Sequence, residues 1–81
     1  MTKSTDKQIF LINFGKRLKQ FRIEKKLKQH QLAELACMSE NYYGKLERGE
    51  RNISIYQFGK IAKALNLDLN VFFKDLISEK K

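Results

Sequence analysis

Gln29-His30-Gln31-Leu32-Ala33-Glu34-Leu35-Ala36-Cys37-Met38-Ser39-Glu40-Asn41-Tyr42-Tyr43-Gly44-Lys45-Leu46 is the stretch that decides the fold. Its apolar and small residues fall at Leu32, Ala33, Ala36, Met38, Tyr43 and Leu46, and the pattern breaks around Cys37 to Ser39. That spacing predicts two short helices joined by a tight turn, spanning about residues 29–47 and packed across one another. Ala33 is small enough to let the second helix cross close to the first. A rigid pair of this kind can push one polar helix face into the DNA major groove.

Upstream, Thr5-Asp6-Lys7-Gln8 has capping-box spacing and predicts the start of a helix at Thr5. Leu11, Phe14, Leu18 and Phe21 then recur at helical spacing with Lys16, Arg17, Lys19 and Lys25 interleaved, so this helix reaches about Lys25. Downstream, Ser39 suits the N-cap of the second helix of the pair, and Gly49 stops it after Glu47 or Arg48. Ser54-Ile55-Tyr56-Gln57 is another capping box, opening a helix through Leu65 with Ile55, Phe58, Ile61, Ala62 and Leu65 on its buried face. Asn66 fits the position after that helix, and Asp68 caps a last one in which Leu69, Phe72, Phe73 and Leu76 share a face. The expected architecture is all-α, five helices in one domain over residues 1–81.

Composition narrows the class. The chain has 81 residues, no proline and four glycines, which favours helices joined by short turns. Lysine and arginine total 17 against 9 acids, for a net charge of +8. Most of the excess lies in residues 1–27, where Lys3, Lys7, Lys16, Arg17, Lys19, Arg22, Lys25 and Lys26 face only Asp6 and Glu24. A domain this basic implies a polyanionic partner, bound by neutralising phosphates and releasing counterions. The single cysteine, Cys37, excludes an internal disulfide and fits a reducing cytoplasm, with the residue read as a buried turn position. No apolar run approaches the roughly 20 residues of a membrane span. His30 has no second ligand at metal spacing and reads as an exposed helix residue, so no metal and no cofactor is expected. No nucleophile–base pair or paired carboxylate site marks an enzyme.

Gln29-x-x-Leu32-Ala33, Met38-Ser39, Tyr43-x-x-Leu46-Glu47-x-Gly49 and Ile61-Ala62-Lys63-Ala64-Leu65 together resemble the Cro/CI-type (XRE) helix-turn-helix family, over about residues 14–73. Within it, the short length and Glu47-Arg48-Gly49-Glu50-Arg51-Asn52 look most like the controller proteins of restriction–modification systems. The resemblance implies a lambda-repressor-like fold. It also exposes three departures. Lys26 stands where the family has glycine, so a lysine must take a left-handed conformation. Lys28 replaces the Ser or Thr cap of the helix at Gln29. Cys37 replaces the turn glycine.

Tyr43 and Leu46 must face inward, which leaves Glu40, Asn41, Gly44 and Lys45 outward. Asn pairs bidentately with adenine, Lys reaches guanine O6 or N7, and Glu accepts from cytosine N4. Glu40 has a second reading, as a carboxylate steadying the helix N-terminus. Gly44 would let the backbone approach the groove. The resemblance implies groove-facing positions at Glu40, Asn41, Tyr42 and Lys45 and a base-contacting Arg51; Tyr42 packing at the domain edge and Arg51 as a solvated loop charge are the alternatives. Gln29 and Asn52 are phosphate candidates, Gln29 also bringing a helix N-terminus to the backbone, and Lys28 and Arg48 are counted with them. Family resemblance further pairs Arg22 with Glu47 as a structural ion pair.

The last helix, over about residues 69–78, carries more apolar surface than a short terminal helix needs. Phe72 is expected in the core, with Leu69, Phe73, Leu76 and Ile77 available to a second subunit. The resemblance makes that a two-fold dimer on a palindromic site. The predicted function is therefore a cytoplasmic, homodimeric, sequence-specific transcriptional regulator of the controller-protein kind, activating or repressing, with operator DNA and RNA polymerase as its expected partners. A phage Cro-like repressor is close to it. An antitoxin-type module that sequesters a toxin, or a non-specific nucleic-acid binder, are the alternatives from other classes.

Overall fold

Five helices follow one another: α1 (Lys3–Glu24), α2 (Gln29–Leu35), α3 (Glu40–Glu47), α4 (Ile55–Leu65) and α5 (Leu69–Phe73). They come from a computed structural model that describes residues 3–76, with side chains from Asp6 onward. α3 packs against both α1 and α2, and α2 also packs against α4. The shared core is Phe14, Leu18, Leu32, Ala33, Ala36, Tyr43, Leu46, Phe58, Ile61, Leu65 and Phe72. Each large apolar side chain fully withdrawn from water contributes roughly 1.5–3 kcal/mol.

Phe72 is the hub that ties α5 to the rest. Its ring centroid lies 5.6 Å from that of Phe14, 5.3 Å from Phe21, 5.5 Å from Phe58 and 5.0 Å from Phe73. Such tilted and edge-on pairs add about 0.5–1.5 kcal/mol apiece beyond the area they bury. Arg17 reinforces the attachment: its guanidinium donates to the carbonyl of Phe72 and, at 3.1 Å, to that of Lys74. A cation on α1 thus satisfies carbonyls at the end of α5.

Four helices end the same way. Lys26 (φ 61°), Cys37 (φ 56°), Gly49 (φ 76°) and Asn66 (φ 53°) are all left-handed. In each case the left-handed residue's N–H returns to a carbonyl three residues back, and the next N–H returns five back: Leu27 to Arg22 (3.2 Å), Met38 to Ala33 (2.9 Å), Glu50 to Lys45 (2.9 Å) and Leu67 to Ala62 (3.0 Å). This Schellman closure satisfies the last helical carbonyls and reverses the chain tightly. Only one of the four positions is glycine, so Lys26 and Cys37 accept the left-handed geometry that their sequence context demands.

The close crossing of α1 and α3 depends on Gly15. A Cβ there would stand 2.3 Å from the Glu47 carbonyl oxygen and 2.6 Å from that of Leu46. No L side chain fits between those backbones.

Five details depart from the sequence reading. α1 already runs from Lys3, so Thr5 lies inside the helix and is not its cap. Ile55 is 87% exposed. It is the first residue of α4, and the inward stripe begins at Phe58, three residues on. Ser54 caps α4 by accepting from the Gln57 N–H at 3.0 Å. The reciprocal arm of that capping box is missing, because Gln57 Oε1 is buried without a partner. Cys37 is exposed, since its left-handed backbone turns the side chain away from the core. α5 ends at Phe73, where Lys74 becomes extended (ψ 127°) and Asp75 left-handed (φ 65°). Leu76 therefore leaves the helical face and packs, half-buried, against its own core.

Candidate nucleic-acid interface

The pair α2–α3 is built from its caps inward. Lys28 has no side chain able to accept at the N-cap of α2, so only the reciprocal arm of the cap forms, Gln31 accepting from the Lys28 N–H at 2.8 Å. Half of a capping box thus survives the loss of a hydroxyl cap. Ser39 starts α3 fully, its hydroxyl accepting from the Tyr42 N–H at 3.0 Å. Leu32, Ala33 and Ala36 of the first arm meet Tyr43 and Leu46 of the second in the core. The outer face of α3 is left polar: Glu40 and Asn41 are exposed, and Tyr42 and Lys45 are half-buried.

Glu47, at the C-terminal end of α3, is the anchor of the unit. Its carboxylate accepts from Arg22 Nε at 2.6 Å and Nη2 at 3.1 Å, from the Tyr43 hydroxyl at 2.5 Å and from Gln29 Nε2 at 2.9 Å. Arg22 Nη1 closes the cluster by donating to the Leu27 carbonyl at 2.8 Å. One carboxylate therefore joins α1, α2 and α3, with side-chain exposures of 10% for Arg22 and 4% for Glu47. Burial pushes the Glu47 carboxyl up, but the bonds from Arg22, Tyr43 and Gln29 outweigh it and hold it below its ordinary value. The bond to Glu47 raises the Arg22 guanidinium further, and burial followed by the neighbouring Glu47 carboxylate raises the Tyr43 phenol well above its usual range.

Gln29, Glu40, Asn41, Gly44 and Arg48 line one shallow polar notch where α2 meets the outer face of α3. Gly44 is buried at its floor rather than open to a groove. A Cβ there would stand 3.2 Å from Arg48 Nη1 and 3.5 Å from Gln29 Oε1, so those two side chains lie across it. The absent side chain makes room for protein groups and not for direct backbone approach.

Beyond α3 the rim is ionic and exposed. Arg48 pairs with Glu50 through Nε at 3.1 Å and Nη2 at 3.3 Å, and this bonding lowers the Glu50 carboxyl. Arg51 sits over the Tyr42 ring, 5.6 Å from its centroid, a cation–π stack that brings two of the expected base readers together. Lys28 and Asn52 are exposed at either end of the arrangement.

The sequence pattern did not disclose three of the contacts. Gln29 is tied to Glu47 across eighteen positions of chain, the Tyr43 hydroxyl is a ligand of that carboxylate as well as core, and Arg17 holds the end of α5. An arginine at helical spacing on an apolar stripe was the only available signal for the last. His30 is exposed, and among the described residues no group of three or more His, Cys, Asp or Glu side chains is placed to hold a metal. Among them, no helix is long and apolar enough to cross a membrane. Of the residues expected at a subunit contact, Leu69 is 50% exposed, Phe73 and Leu76 are half-buried against their own core, and Ile77 lies outside the described residues.

Known proteins are similar to this chain in sequence and in fold. Residues 18–72 match the helix-turn-helix family model. The control protein C.MunI of Mycoplasma sp is 36% identical over 69 residues, covering 84% of this chain and 93% of the relative. YqaF of Bacillus subtilis, an uncharacterized HTH-type transcriptional regulator, is 36% identical over 64 residues, covering 79% and 84%. The crystal structure of the restriction–modification controller protein C.AhdI from Aeromonas hydrophila superposes with a TM-score of 0.74 at 40% identity, covering 78% of this chain and 96% of that one. The chain belongs to the XRE-type helix-turn-helix family, a family of DNA-binding regulators and not of enzymes.

Proposed function

We propose that the protein is a homodimeric, sequence-specific regulator of a restriction–modification system, binding a palindromic operator and activating or repressing according to where that operator lies. The observation that carries the reading is the polar outer face of α3, extended by Arg51 stacked on Tyr42 and anchored underneath by Glu47. Glu40, Asn41, Tyr42, Lys45 and Arg51 would meet base edges, and Lys28, Gln29, Arg48 and Asn52 would meet phosphates. Gln29 keeps a second amide hydrogen free for that role after donating to Glu47. Similarity to C.MunI and C.AhdI supports the restriction–modification setting.

The subunit contact falls on exposed apolar surface. Leu69 and Val71 of α5 are 50% and 54% exposed, and Ile55 lines a groove with Phe10 and Phe73. These side chains favour burial against a second copy, with Phe73 and Leu76 reinforcing the base of the contact. Selection of bound duplexes from a random pool, with sedimentation of the free protein, tests the whole reading. Two inverted half-sites about one helical turn apart and a dimer are expected. A monomer, or a pool left unenriched, would overturn it.

A further inference from the structure

The N-terminal half of α1 precedes residue 18, where the helix-turn-helix match begins. Lys7, Gln8 and Leu11 of this segment face Gly49, Glu50 and Asn52 across one shallow depression. The helix and the loop touch through backbone: a Cβ on Gly49 would stand 2.8 Å from Ile12 Cα. The same loop carries Arg51 onto the Tyr42 ring, so α1 braces the segment that extends the reading face.

Lys7 is exposed, and among the described residues its side chain makes no hydrogen bond or salt bridge. The carboxylate that lines the depression, Glu50, is bonded to Arg48. Other exposed lysines, Lys16, Lys19, Lys25 and Lys63 among them, also lack a bonded partner; what sets Lys7 apart is its place beside Asn52 on the loop that carries Arg51. Arg17 is committed to the carbonyls ending α5, and Lys60 lies over the Tyr56 ring at 5.1 Å while donating to the Cys37 carbonyl at 3.3 Å.

We propose that Lys7, with Gln8 beside it, forms an additional phosphodiester-binding site that lengthens the footprint past the bases α3 reads. An ammonium with no internal partner, next to the exposed amide of Asn52, is the chemistry that recognises a phosphate without reading sequence. This site rests on the DNA-binding reading above, and it adds affinity and salt dependence, not specificity.

The test is a salt titration of operator binding by the parent dimer, Lys7→Ala, Lys7→Arg and, as a control, Lys60→Ala. Each phosphate contact contributes about 0.9 to the slope of log affinity against log salt. Lys7→Ala should lower the slope by about that much per protomer and leave the preference for operator over scrambled duplex unchanged. Lys7→Arg and Lys60→Ala should keep the parent slope. An unchanged slope in Lys7→Ala overturns the site, and a lower melting temperature alongside it would make Lys7 an internal partner of Glu50 instead. A parent that binds no duplex DNA overturns this proposal together with the reading beneath it.

Discussion

Two arginine–glutamate pairs meet around the end of α3, their glutamates three residues apart, and they differ in burial. Arg22–Glu47 leaves 10% and 4% of its side chains exposed, whereas Arg48–Glu50 leaves 54% and 52%. The chemistry is the same, so the surroundings decide what each does. A buried pair that also satisfies Tyr43 and Gln29 cannot lose one member without stranding a charge in the core. An exposed pair is screened by water and salt and exchanges partners freely. The first can hold three helices in register, and the second can release an arginine to a phosphate.

The largest effect that would break this contrast is loss of Glu47. Glu47→Ala should cost roughly 3–5 kcal/mol in denaturant unfolding, a large share of a small domain's stability. Replacing both Arg22 and Glu47 by apolar residues of similar size should cost less than either single change. The pH profile sharpens the same point from both sides. Glu47 titrates lower in the folded chain than its unfolded value of 4.5, so its contribution is present above that pH and is lost as pH falls through the folded value. Tyr43 titrates higher than its unfolded value of 10.0, so its contribution is present below pH 10 and is lost as pH rises above it. Thermal unfolding across pH should show both limbs; Glu47→Gln should flatten the acid one and Tyr43→Phe the alkaline one.

Next in size are the two proposed base readers, Arg51 and Lys45. Arg51→Ala and Lys45→Ala should each relax base discrimination by about 1–3 kcal/mol at their own positions, measured by competition between operator and single-base variants. Folded stability should stay near the parent's in both.

Smaller still is the turn between α2 and α3. Cys37→Gly relieves a left-handed β-carbon and should raise stability by on the order of 1 kcal/mol, offset in part by the freer unfolded chain. Smallest is Glu50→Gln, which should leave the unfolding curve unchanged. It should tighten DNA binding at low salt, because Arg48 is freed and a carboxylate leaves the rim. A stability loss there would erase the distinction between the two pairs.

What the sequence could disclose followed the range of the interaction that decides each feature. Ser39, Ser54, Asp68 and Asn66 sit at helix ends whose bonds close within a few residues, and their roles were legible. The left-handed Lys26 could be anticipated because the resemblance puts a glycine at its position, and Cys37, which also replaces a family glycine, proved left-handed as well. Ile55 and Leu76 misled, since hydrophobic periodicity does not show where a short helix stops facing the core. Gly15 gives no signal at all, and Gly44 reads as room for a DNA groove and not for protein side chains. Their value lies in which distant atoms approach them, the Glu47 carbonyl in one case and the Arg48 and Gln29 side chains in the other. Within the candidate site, residue types on the outer face of α3 were legible, while the Gln29–Glu47 bond and the Tyr42–Arg51 stack required the folded chain.

The central claim is that one ionic pair holds the helix-turn-helix while its neighbour serves the ligand. Arginine side-chain Nε–H resonances followed during addition of operator DNA test it most directly. The account predicts that Arg48 and Arg51 shift on binding while Arg22 stays where it was in the free protein. Movement of Arg22 with Arg48 unperturbed would contradict it.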